Sequence, residues 1–256
     1  MSDSLSAMAR RAPVPLLLLA LWQWVTASGW LPPGTLASPG STLSAAWTLA
    51  VDGTLQEALG VSLRRAALGF ALGGVLGLTL GLAAGFWQLG EELIDGSMQM
   101  LRTVPFVALA PLFIVWFGID ESAKIALVAF ATLFPLYINT YAGIRGIDNR
   151  LLEAGRTLGL GRAALVREVV LPGALPAILV GLRYSLALSV ISLVIAEQIN
   201  ADAGIGALLL DARRFVQTDV MALCMVIYAL LGLATNAMVR LLEWRLLSWR
   251  SGVRAS

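Results

Sequence analysis

The chain has 256 residues, 58% of them hydrophobic and 13% charged, and 18 basic side chains stand against 16 acidic ones. Soluble domains run near a quarter charged, so a surface this poor in charge cannot cover a core of this size in water, and lipid is the expected surrounding. No histidine is present, Cys224 is the one cysteine and Lys124 the one lysine, which excludes histidine bases and metal ligands, Ser/His/Asp and Cys/His triads, disulfides, cysteine metal clusters and a Gly-Lys-Ser/Thr phosphate loop.

The arginines are scattered between apolar runs rather than gathered on a polar domain, which argues against a nucleic-acid partner. A bilayer core of about 30 Å needs roughly 20 mostly apolar residues per helix. Stretches 13–31, 66–86, 103–118, 122–143, 175–196 and 220–241 meet that requirement. Residues 1–12 form a short tail ending in Arg10 and Arg11. No small-residue cleavage site follows them, and the apolar run continues through Trp22, Trp24 and Trp30, so the first stretch is expected to stay as a span rather than leave as a signal peptide. Leu31-Pro32-Pro33-Gly34 breaks that helix, and residues 41–64 have the pattern of an amphipathic helix on the outer surface. Residues 13–65 therefore read as one unit, ahead of a core at 66–241.

The second span carries Gly69, Gly73, Gly77, Gly81 and Gly85, one every four residues. Apolar area drives little helix association in lipid, so a ridge without side chains predicts close packing on another helix, a structural role with no part in substrate contact. Arg102, just before Val104-Pro105, is expected to mark a helix start. Phe117-Gly118-Ile119-Asp120-Glu121 reads as a tight turn between the third and fourth spans.

The longest polar link, 144–174, predicts two short helices. The first, 149–158, presents Leu151, Leu152 and Leu158 beside Arg150, Glu153 and Arg156, and Gly159 and Gly161 turn the chain. The second runs from Arg162 to Val170 and is ended by Pro172. A compact amphipathic helix pair held outside lipid has the shape to dock in another protein's groove. After the fifth span, Gly204-Ile205-Gly206 and the run Ala207–Phe215 read either as an external gate re-entering the membrane or as an ordinary surface loop. The sixth span leads into a tail at 242–256.

With the N-terminus inside, Arg10, Arg11, Arg102, Arg145, Arg150, Arg156, Arg162, Arg167, Arg240, Arg245, Arg250 and Arg254 fall in the cytoplasm. Only Arg64, Arg65, Lys124, Arg213 and Arg214 fall opposite. This bias places both termini in the cytoplasm.

The polar link also resembles the EAA signature of permease subunits in binding-protein-dependent ABC importers. The pattern falls on Glu153, Ala154, Gly155, Gly159, Val169, Leu171 and Pro172, with Gly155 in place of a second alanine and Val169 in place of isoleucine. The resemblance extends over about residues 20–245. Leu101-Arg102-Thr103-Val104-Pro105, Trp116-Phe117-Gly118-Ile119-Asp120-Glu121, Phe134-Pro135-Leu136-Tyr137, Ala196-Glu197 and Gln217-Thr218-Asp219-Val220 are similar to the nitrate/sulfonate/taurine branch, and within it most similar to aliphatic sulfonate permeases.

That resemblance implies an all-α polytopic bundle of about six transmembrane helices with the type I importer (MetI-like) fold, in a bacterial inner membrane. It implies a homodimer, a cytoplasmic ABC ATPase dimer that holds ATP and magnesium, and a periplasmic substrate-binding protein. This chain would itself bind no cofactor or metal and carry no catalytic residue. Glu153 to Gly159, including Ala154, Gly155 and Arg156, would form the coupling helix, and Leu171-Pro172 a rigid link to the fifth span. Selectivity would reside mainly in the binding protein.

An ionisable group inside a span is a functional candidate by default. Arg183 either attracts a sulfonate with its guanidinium fork or snorkels to the cytoplasmic interface, the latter preferred. Glu197 would repel an anion in a pore, so a structural hydrogen bond near the outer mouth is preferred for it. Asn139, Gln198 and Asn200 are uncharged pathway candidates. The alternatives are import of taurine, nitrate or another small anion by the same mechanism, an ion-coupled secondary transporter, and a membrane enzyme. No convincing repeat and no acidic residue near the middle of a span favours the secondary transporter.

Overall fold

The computed structural model describes residues 13–30, 32, 34–247 and 249, with the side chains of residues 15, 16 and 200 outside the described set. The terminal tails, and with them Arg10, Arg11, Arg250 and Arg254, lie outside the described residues, as do Leu31 and Pro33 of the first expected break. Ten helices and no strands occur among the described residues: α1 Pro13–Ala27, α2 Pro39–Val51, α3 Thr54–Phe86, α4 Gln88–Leu101, α5 Phe106–Phe117, α6 Glu121–Arg145, α7 Asn149–Thr157, α8 Arg162–Ile199, α9 Ile205–Arg214 and α10 Thr218–Leu246. The all-helical bundle expected from the sequence is what the chain forms.

Four of these helices, α3, α6, α8 and α10, are long and apolar enough to cross a membrane. The third expected span is a broken one: α4 and α5 meet at 100° and make a fifth crossing only if taken together. Pro105 lacks an N–H and pushes Val104 out of the helical region, which ends α4 at Leu101. Arg102 accordingly caps the end of α4 instead of opening the next helix. The described part of the first expected span is α1, 15 residues and about 22 Å long at the usual helical rise.

Residues 41–64 divide between two helices. Asp52 and Gly53, the latter at φ 87°, turn the chain, and the Asp52 carboxylate accepts from the Thr54 N–H at 2.9 Å. This starts α3 at Thr54, so Arg64 and Arg65 lie within it and the expected boundary at residue 65 falls mid-helix.

Helix α6 is the centre of the bundle. The glycine ridge of α3 lies along it. A Cβ on Gly69, Gly73, Gly77, Gly81 or Gly85 would meet, in that order, Val128, Ala129, Leu133, Thr140 and Ile144, at 2.1–2.8 Å. The ridge thus packs helix on helix, as expected from its spacing. On its other side α6 meets α8, where Gly143 faces Ala177 and Gly181 faces Asn139, and where the Ser185 hydroxyl donates to the Thr132 carbonyl at 2.7 Å. At the end of the bundle that carries α9, one face of α2 joins α3, α9 and α10 around Ala45, Ala58, Ile205, Leu209 and Leu223.

Candidate coupling surface

A nine-residue helix is too short to persist alone in water, so α7 depends on its ends. Asp148 accepts from the Arg150 N–H at 2.9 Å at the start. At the finish, the Leu160 N–H reaches the Gly155 carbonyl at 3.0 Å and the Gly159 N–H reaches the Arg156 carbonyl at 2.9 Å. These two bonds are the Schellman arrangement, which needs a left-handed residue at Gly159, found at φ 84° with open space around it.

The residues of α7 and its closing turn then divide by environment. Gly155 is buried under Leu165, Leu160 and Val169, and a Cβ there would stand 2.6 Å from Leu165 Cδ1. This seat explains why glycine suits the position where the signature has a second alanine. Glu153, Ala154, Arg156 and Gly159 face outward, and Leu158 beside them is 82% exposed. The result is a rigid, doubly capped helix with a mixed acidic, basic and apolar outer face, clipped to α8 by a small-residue contact.

The expectation that Pro172 ends the second helix is corrected. Helix α8 continues through Leu171 and Pro172 without a break, and residues Val166–Val170 form a π-turn just before them. A proline ring normally presses on the carbonyl four residues back, and the wider π-turn relieves that crowding. The helix pair therefore has one rigid arm, 38 residues long, running from Arg162 to the α9 end.

Four helices converge on Arg65 at that far end. Arg65 is 2% exposed and Glu197 is fully buried. Glu197 Oε1 accepts from Arg65 Nη1 and from the Ser62 hydroxyl, each at 2.7 Å, and its Oε2 accepts from the Gly206 N–H at 2.9 Å. The Ile205 N–H donates to Ser62 Oγ at 2.8 Å, so side chains of α3 and α8 satisfy the first amides of α9. Arg65 also donates to the Ala203 carbonyl at 2.6 Å and forks onto both oxygens of Glu121, at 2.5 and 2.6 Å. Lys124 Nζ lies 3.5 Å from Glu121 and donates to the Ile119 carbonyl at 3.3 Å. Glu197 thus makes the structural hydrogen bonds preferred for it. Arg65, Ser62 and Glu121 were not singled out in the sequence; the one signal was that a carboxylate at Glu197 needs a cationic partner, and Arg65 is one of two arginines inside an otherwise apolar helix.

Two of the other candidates are also engaged. Arg183 Nη2 lies 2.6 Å from Glu243 Oε2 on α10, so it is ion-paired rather than simply snorkelling. The Asn139 amide donates to the Pro135 carbonyl at 2.8 Å and packs against Gly181. Gln198 is exposed, and the side chain of Asn200 lies outside the described residues. A second polar group was likewise missed: Asp95 and Glu91, in a π-turn of α4, accept from Tyr137 at 3.0 Å and from Tyr141 at 2.5 Å, and Glu91 pairs with Arg145.

The profile of the family described as "Binding-protein-dependent transport system inner membrane component" matches residues 73–248. The chain is 50% identical over 236 residues to the Escherichia coli K12 protein SsuC, assigned as an aliphatic sulfonates transport permease, covering 92% of this chain and 90% of the relative. A protein of the same assignment in Bacillus subtilis 168 is 43% identical over 238 residues, covering 93% and 86%. The taurine transport system permease TauC of Escherichia coli K12 is 32% identical over 243 residues, covering 93% and 88%. Among solved structures, the chain superposes on a chain of an amino acid ABC transporter crystallised with histidines, with a TM-score of 0.63 at 19% identity over 78% of this chain and 97% of that one. A chain of the inward-facing MetNI methionine ABC transporter gives 0.56 at 20% identity, over 73% and 94%. At those identities the two likenesses establish the fold, the MetI-like bundle expected from the sequence.

Proposed function

Because the chain belongs to the family of binding-protein-dependent transport system inner membrane components, we propose that it is the sulfonate-translocating permease of an ATP-driven importer, and that α7 is the part its ATPase grips. Family membership makes it a multi-pass inner-membrane permease subunit and not an enzyme, and sets aside the ion-coupled carrier. Its partners are accordingly an ATPase and a substrate-binding protein.

The observation that carries the coupling role is the seating of α7. It is capped at both ends, exposes Glu153, Ala154, Arg156 and Leu158, and buries Gly155 against α8. A push on α7 would pass through Gly155, Leu165 and the Leu171-Pro172 stretch into the long arm of α8. ATP and magnesium would sit on the partner ATPase dimer, and each nucleotide state would favour one conformation of the permease. The chain works as a homodimer with both termini in the cytoplasm and its apolar faces in lipid. Aliphatic sulfonates are the substrate class best supported, since two relatives of that assignment are 50% and 43% identical and the taurine permease 32%. Asn139, Arg183 and Glu197 are spent on internal bonds, leaving Gln198 and Asn200 as the remaining pathway candidates.

The test is reconstitution of the chain with its ATPase and binding protein in vesicles, with uptake of labelled ethanesulfonate and taurine compared. ATP-dependent ethanesulfonate uptake in excess of taurine is expected. Uptake without ATP, or taurine taken in preference, would refute the proposal.

A further inference from the structure

The buried bonds of this bundle are unevenly distributed, and the distribution says which element is free to move. At the α9 end, Arg65 joins α3 to α6 through Glu121, to α8 through Glu197 and to the α9 turn through Ala203. The turn itself is moulded to this group. Gly204 is at φ 110°, where an added Cβ would lie 2.5 Å from Glu197 Oε1 and 2.7 Å from Arg65 Nη1. An added Cβ on Gly206 would lie 2.3 Å from Glu197 Cβ. Peeling α9 away would break the Ile205 and Gly206 N–H bonds and the Arg65–Ala203 bond together, taking one bond each from buried Ser62, Glu197 and Arg65.

Helix α4 is held on α6 by Tyr137, Tyr141 and Arg145. Helix α5 is held differently. It meets α6 and α8 through Leu109, Ala110 and Phe113 against Leu127, Phe130 and Ala196. Among the described residues, its hydrogen bonding to the rest of the bundle is confined to its last residue, whose carbonyl accepts from Ser122. Both ends of α5 are bends: the 100° break after Leu101 and Gly118 at φ 80°. Apolar contacts can slide with little loss, whereas a hydrogen-bonded buried ion pair has no equivalent second position.

We propose that Arg65 makes the α9 ends of α3, α6, α8 and α9 a single body that stays together through the transport cycle, so that α5, and not the α9 turn, shifts to open and close this end. Arg65 is thus a positioning residue, acting through Glu121, Glu197 and the turn. The inference rests on the reading of the chain as an ATPase-driven permease and adds to it the identity of the moving part.

Two cysteine pairs test it in a Cys224→Ala background, in the complete complex with its ATPase, nucleotide-free and trapped with ATP and vanadate. Ala58→Cys with Ala207→Cys bridges α3 and α9 beside one surface hollow. Ala110→Cys with Ala196→Cys bridges α5 and α8 within one apolar cluster. None of the four positions belongs to the Arg65 network. The α3–α9 pair is expected to cross-link at the same rate in both states, and the α5–α8 pair at rates at least ~10-fold apart. Adding Arg65→Gln should make the α3–α9 rate depend on state, while Arg65→Lys should depend less. A state-dependent α3–α9 rate with Arg65 intact, or a state-independent α5–α8 rate, would overturn the proposal. Absence of any vanadate-trapped complex, seen before cross-linking begins, would instead remove the ATPase-driven reading and this inference with it.

Discussion

The Leu165 side chain fills the space a methyl group on Gly155 would need, with Cδ1 2.6 Å from where that carbon would be. Through this contact α7 and the foot of α8 behave as one piece, although Gly159 turns the chain between them. The tip of a leucine can rotate, so Gly155→Ala should keep ATPase binding and transport within a few-fold. Gly155→Leu should lift α7 off α8 and uncouple them, giving a complex whose ATP hydrolysis no longer responds to binding protein and substrate. Retained coupling in the leucine variant, measured by stimulated ATPase activity, would contradict the clip.

Gly159→Val forces a β-branched residue into the left-handed region, at a cost of about 1–2 kcal/mol, and Glu153→Lys reverses the charge on the exposed face of α7. Both variants should insert and purify normally yet lose ATPase in pull-downs or lose transport. Normal uptake by either would remove α7 from the coupling role.

Along the α3–α6 seam, Gly77→Leu would place side-chain carbon 2.4 Å from the Leu133 carbonyl oxygen, and backbone cannot yield as a side chain can. Loss of monodisperse protein on size-exclusion chromatography is expected. Gly60 lies on the same helix with nothing within 4 Å of an added Cβ. Gly60→Ala should therefore be neutral or stabilising by up to about 1 kcal/mol from helix propensity, seen as an unchanged or raised melting temperature.

Arg65→Met would leave the Glu197 carboxyl buried with its cation gone. Breaking such a pair from one side costs about 3–5 kcal/mol. The Arg65→Met, Glu197→Met double variant should be destabilised by clearly less than the sum of the two single variants. Additive melting-temperature losses in detergent would show that the two side chains do not act as a pair.

Arg183 and Glu243 join α8 to α10 with a 2.6 Å contact. If this pair is structural, Arg183→Met combined with Glu243→Met should preserve the concentration of ethanesulfonate giving half-maximal uptake, while Arg183→Met alone lowers the amount of folded protein. A raised half-maximal concentration in the double variant would return Arg183 to the pathway.

The glycine ridge and the coupling helix were legible because each is local: a spacing of four in one case, an amphipathic run ended by Gly159 in the other. The broken third span was half legible. Val104-Pro105 announces a break, but residues 88–101 are too mixed in composition to declare a helix folded back at 100°. Pro172 misled because a proline usually ends a helix, and nothing local shows that a π-turn will make room for it. Arg65 was read only as a charge on the outer side. Its partners, Glu121, Glu197 and the 204–206 turn, are distant in the chain, and an ion pair between distant residues has no periodicity to reveal it.

The residues that complete the α3 ridge all belong to α6, and α4 and α5 lie between the two helices in the chain. Any nascent chain that stops short of Val128 therefore holds a stripe of bare backbone without the α6 residues that close over it. Synthesis of this subunit must pass through that stage each time, and the interval before α6 arrives is when α3 is open to pairing with a wrong helix or to quality-control proteolysis.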